Sequence, residues 1–163
     1  MNKNTKEITL VGVMIALGVV LSAMLRIPLF ANVRLDLSYI VITVAIMKCG
    51  MFGSMMVAGS IALLESTIFG VNGLSLPWVL ANVVIAFVAS IFYKMAKEKG
   101  NNILFYLGIV LGCFLGLVIV KSLVETLIAN IPLIIRITSN LVAFAGDLTC
   151  MIIGVFIGKR FVK

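Results

Sequence analysis

Long apolar runs, broken at intervals by glycine, proline, asparagine and clustered charge, fill the chain from end to end. Their lengths predict six helices, near residues 5–26, 36–49, 51–70, 77–95, 103–129 and 136–159. The second is short for a full crossing, since the hydrocarbon layer takes about 20 apolar residues to span. Between the first two, Arg26 to Leu35 carries Ile27, Pro28 and Asn32 and reads as an ordered loop or a strand-like excursion. Pro77 stands where the fourth helix begins, with Trp78 at the depth of an aromatic interface belt. The first run, Ile8 to Leu25 behind Lys3 and Lys6, exceeds the core of a signal peptide and is followed by many like it, so it is read as a retained helix.

Composition turns these helices into membrane spans. Of 163 residues, 63% are hydrophobic and 12% charged, against roughly 25% charged in soluble domains. Mean hydropathy is +1.26, more apolar surface than a soluble fold can hide. Six spans with short turns use the whole length, so residues 1–163 are expected to form one all-α, multi-pass membrane domain with nothing left for a nucleotide-binding or catalytic domain.

The net charge of +7 raises the question of nucleic acid, and the placement of the charges answers it. With the amino terminus inside, Lys3, Lys6, Lys48, Lys94, Lys97, Lys99, Lys159, Arg160 and Lys163 fall on the cytoplasmic side. Arg26, Arg34 and Arg136 fall outside, and Lys121 lies within a span. This bias reports topology, with both termini cytoplasmic and the basic loops against an anionic inner leaflet, and argues against a nucleic-acid partner. Cys49, Cys113 and Cys150 are widely spaced, lack the CxxC arrangement, and read as small membrane-embedded residues with no metal or redox site.

A charge at the centre of a lone spanning helix costs about 2.5 to 3.5 kcal/mol, so each one needs a partner, a wet cavity or a task. Glu65, Lys121, Glu125 and Asp147 stand out. Glu65 falls about five residues short of the outer end of helix 3, and Glu125 lies near the outer end of helix 5 with Lys121 one turn deeper, at pairing distance i,i+4. Asn82 in helix 4, Ser139 and Asn140 at the start of helix 6, and Asp36 opening helix 2 bring five helix ends to one outward-facing level. Helical spacing puts Ser54, Ala58, Ala62 and Glu65 on one face, Asn82, Ala86, Ala89 and Tyr93 on another, and Asn140, Ala143, Asp147 and Gly154 on a third. Small residues leave space and polar groups fix orientation, which suits a pocket for a small polar or aromatic molecule entered from outside. The alternative is that Lys121 with Glu125, and Glu65 with Asn82, are interhelical glue and that Asp147 is a packing residue. Gly108, Gly112 and Gly116 form a GxxxG line suited to close helix packing. Gly12, Ala16 and Ala23 form a second small-residue stripe, which faces either its own bundle or another membrane protein.

These features together resemble the substrate-binding S components of energy-coupling factor (ECF) vitamin transporters. The resemblance spans essentially the whole chain. Its local marks are Gly12 to Ala16, similar to that family's AxxxA surface with glycine for the first alanine; Val33 to Ser38 opening helix 2; Gly50 to Gly53; Ala62 to Glu65; Leu80 to Asn82; and Ile91 to Lys94. It implies a high-affinity vitamin binder without its own ATPase, in the cell membrane, docked through Gly12 and Ala16 on a membrane coupling protein driven by two cytoplasmic ATPases. The substrate is then expected beneath the loops Arg26 to Leu35 and Val71 to Leu76, among Asp36, Glu65, Asn82, Lys121, Glu125, Asn140 and Asp147, and delivered by toppling of the whole subunit. Riboflavin- or pantothenate-type ligands are slightly favoured, while the acid-rich level also suits thiamin, pyridoxine or a pyrimidine. No cofactor is expected.

Two other classes compete. An intramembrane enzyme using Glu65, Glu125 and Asp147 as acids and bases has no histidine, metal-ligand cluster or GxSxG element behind it. A stand-alone secondary carrier calls for inverted repeats or polarity continuous across the bilayer, and here polarity concentrates on the outer side.

Overall fold

The computed structural model describes residues 3–24, 27–30, 33–68 and 75–161. Six helices run through them: α1 (Lys3–Met24), α2 (Ser38–Lys48), α3 (Gly50–Ile68), α4 (Ser75–Lys99), α5 (Asn102–Ala129) and α6 (Leu133–Phe161). Each matches an apolar run predicted above, to within a few residues. Five of them are long and apolar enough to cross a membrane, and α2 is the short one. The excursion between α1 and α2 is an antiparallel hairpin of β1 (Ile27–Phe30) and β2 (Val33–Leu35), with Ile27 opposite Leu35 and a bulge between Pro28 and Phe30. Arg26, Asn32, Lys163 and most of the Val71 to Leu76 loop lie outside the described residues.

Turn chemistry sets the ends. Gly50 at φ +69° reverses the chain between α2 and α3, a left-handed conformation that glycine adopts without a side-chain clash. Gly100 at φ +63° does the same after α4, where the Asn101 N–H donates to the Ala96 carbonyl at 3.1 Å. Asn130, at φ 51°, closes α5, and Pro132 precedes α6, where it has no N–H to leave unsatisfied.

At the centre stands α2. Nine of its eleven residues are buried, as expected of a helix apolar on every side. Eleven residues rise only about 16 Å, so α2 starts well below the outer end of the nineteen-residue α3, and β2 leads into it while packing against α6. Helix α6 runs parallel to α2: a Cβ on Gly154 would meet Ile40 and Thr43, and one on Gly158, a turn further on, would meet Met47. Helices α3, α4 and α5 complete the ring. The GxxxG line packs on α4 as expected, Gly108 against Phe92 and Gly116 against the Ala81 carbonyl and Ile85.

Helix α1 leans on α3 through Gly18, which faces Ile61. Gly12, Ala16 and Ala23 are exposed and do not pack in the bundle. The outer surface is otherwise apolar, with Phe52, Met56, Leu127, Ile134 and Phe156 more than half exposed, an aqueous liability that lipid removes.

Candidate functional site

Glu65, Asn82, Lys121, Glu125, Asn140 and Asp147 are buried, Asp36 is partly buried, and Ser139 is exposed. They fall into two tiers rather than one level. The upper tier joins the outer ends of α4, α5 and α6. Asn140 donates from Nδ2 to Ser122 Oγ at 3.0 Å and to Glu125 Oε2 at 3.2 Å, and Arg136 Nε lies 3.7 Å from the same oxygen. Arg136 and Asn140 are four apart on α6, and Ser122 and Glu125 three apart on α5, so one face of each helix supplies both groups.

The predicted Lys121–Glu125 pair does not form. Lys121 Nζ sits 3.7 Å from the centre of the Trp78 ring, and Glu125 turns to Arg136 and Asn140 instead. The indole face accepts a cation electrostatically while keeping it from water. Trp78 is one turn before Asn82 on α4, which places Lys121 above the Asn82 face.

The lower tier lies where α2 begins. Asp147 stands fourteen residues into α6, about 21 Å along it, with its carboxyl close to the Asp36 main chain. Asp36 thus belongs at mid-membrane depth and not at the outer level predicted for it, because α2 is short. The Asp36 carboxylate accepts the Ser38 N–H at 2.9 Å in the turn that opens α2. Tyr39 lies within electrostatic reach of Asp147, Asp36 and Glu65, and Lys121 within reach of Asp147 and Glu125, which ties the tiers together. Among the described residues the Glu65–Asn82 pairing is not formed as a hydrogen bond, and Asn82 Oδ1, Tyr39 Oη and Asp147 Oδ1, all three buried, have no hydrogen-bond partner. A buried polar atom without a partner costs about 1–3 kcal/mol.

Four members of this cluster were missed in the sequence: Tyr39, Trp78, Ser122 and Arg136. Arg136 and Ser122 were legible as i−4 of Asn140 and i−3 of Glu125. Trp78 was read as an interface anchor, and nothing in its spacing marks it as the seat of a cation.

In α5 the segment Phe114–Val120 is π-helical, directly before Lys121. Its wider turn resets the face of α5 between the glycines that pack against α4 and the inward-turned Lys121, Ser122 and Glu125; such segments are frequent at functional sites.

The family model described as "ECF-type riboflavin transporter, S component" matches residues 2–163. Among curated proteins, none matches in sequence. Of solved structures, the chain is similar to the S component for biotin from an ECF-type ABC transporter, at 24% identity over 99% of this chain and 94% of that one, with a TM-score of 0.70.

Proposed function

Because the chain belongs to the family of ECF-type riboflavin transporter S components, we propose that it is the high-affinity substrate-binding subunit of an importer and that its ligand is riboflavin or a closely related ring. As a member of that family it is a multi-pass membrane transport subunit and not an enzyme.

The observation that carries the ligand reading is the set of buried oxygens without partners, on Tyr39, Asn82 and Asp147, beside the Lys121–Trp78 stack. Protein interiors pair such atoms. A flavin ring offers N–H and carbonyl groups along one edge and a wide π face, and its ribityl arm offers hydroxyls. The ring edge matches the carbonyl of Asn82, and the hydroxyls match Tyr39 and Asp147. Glu65, Glu125 and Asn140 shape the surrounding wall, with Asp36 holding Asp147 in place. Entry is from the outer face, past the hairpin.

Gly12 and Ala16 supply the docking face toward a membrane coupling protein driven by two cytoplasmic ATPases, in the cell membrane. Their exposure on the side of α1 away from the bundle supports this, since small residues let a partner helix approach closely.

The test is riboflavin titration of detergent-purified protein, read by quenching of flavin fluorescence. Asn82→Ala and Glu125→Ala should each weaken binding at least about tenfold, roughly the loss of one good buried hydrogen bond, with helicity unchanged. Unaltered affinity in both variants removes these residues from the site. Absence of riboflavin binding in the parent protein removes the ligand assignment.

A further inference from the structure

At the opposite, basic end, α2, α4, α5 and α6 leave a cavity of about 290 Å³. Met47, Tyr93 and Phe105 form its apolar wall, and Lys97, Asn102 and Lys159 its polar one. Lys97 Nζ lies 5.4 Å from the Tyr93 ring centre, and Lys159 Nζ 5.3 Å from that of Tyr106 and 3.5 Å from its hydroxyl. Among the described residues neither ammonium has a carboxylate within 4 Å, and the lining holds no acidic side chain. Aromatic rings orient both cations without neutralising them.

The backbone adds to this field. The left-handed Gly100 folds the chain so that α5 starts at Asn102 beside the last turn of α4, turning the partial positive charge of a helix amino terminus toward the two lysines. Ile103, next along α5, is 71% exposed on the lipid side. A charged cup thus opens directly beside an apolar surface, at the depth where the positive-inside rule puts the cytoplasmic headgroups.

We propose that this cavity binds the phosphate headgroup of an anionic phospholipid of the inner leaflet, with the phosphate between Lys97 and Lys159 and the acyl chains leaving over Ile103. The site is separate from the vitamin site and does not depend on it. A free phosphate has the same anionic chemistry but no use for the apolar exit, and the test separates the two.

Native mass spectrometry of the detergent-solubilised protein, titrated with dihexanoyl-phosphatidylglycerol, should show one retained lipid, with dihexanoyl-phosphatidylcholine held far less. The Lys97→Gln/Lys159→Gln double variant should bind the anionic lipid about tenfold or more weakly. Lys94→Gln/Lys99→Gln, which removes equal charge from α4 residues outside the lining, should bind as the parent does. All four lysines are exposed, so none of these changes disturbs the core. Equal losses in both double variants would reduce the effect to bulk charge and overturn the site. No loss in the first would overturn it too, as would displacement of the lipid by inorganic phosphate at matching concentration.

Discussion

Lys121 shows at a single residue how ligand groups and structural glue are told apart. Its ammonium is buried on Trp78, and taking such an ion out of water costs several kcal/mol that one indole face offsets only in part. Lys121→Met keeps the stem and removes the charge. The ligand-free protein should therefore melt at the same temperature or higher, while riboflavin affinity falls about tenfold or more. A lower melting temperature with intact affinity would assign Lys121 to the scaffold. The chain has one tryptophan, so indole emission reports this contact alone, and the variant should alter it. That Lys121 was buried was legible in its place within an apolar run. That it chose Trp78 over Glu125 was not, because i,i+4 spacing describes reach along one helix and the competing partners arrive from α4 and α6.

Helices are the scale at which the sequence was most informative. A span must satisfy its own backbone, so length and apolarity define it without tertiary help. The glycine line was equally legible, and α4 and α5 depend on it: a Cβ at Gly116 would stand 2.6 Å from the Ala81 carbonyl oxygen. Gly116→Leu should separate the two helices and lower stability by about 1–3 kcal/mol, seen as a lower melting temperature in detergent. Gly12→Leu, with nothing within 4 Å of its Cβ position, should leave stability and ligand binding unchanged and abolish uptake in cells that carry the coupling module. Uptake that survives would put the docking face elsewhere on the subunit. The π-helical Phe114–Val120 was not legible, since its residues are ordinary helix formers and the widened turn answers packing against α4 and α6.

Over the whole molecule, charge separates the two ends. The N-terminal part of α1, the α2–α3 and α4–α5 turns and the end of α6 share one end with the lysines, as the positive-inside pattern predicted. Cys49, in the α2–α3 turn, is half-buried near Glu7, and burial first, then that carboxylate, raises its thiol above the usual range. A raised thiol has little thiolate at neutral pH, so alkylation should be slow and should climb steadily from pH 7 to 9. Glu7→Gln removes one raising influence and should speed labelling. An impermeant maleimide should reach Cys49 in inside-out vesicles and not in right-side-out ones; the reverse would invert the topology. The two-tier depth of the polar cluster escaped the sequence, because it follows from how far the hairpin lowers α2 into the bundle.

That hairpin packs against α6 through β2. A two-stranded ribbon is barely stable by itself in water, so its order is borrowed from the wall it rests on. Its backbone amides should then act as a gauge of occupancy: deuterium uptake at Val33 to Leu35 should slow when riboflavin is added, with the core of α2 unaffected. Equal uptake with and without the vitamin would mean that the ribbon is indifferent to what lies beneath it.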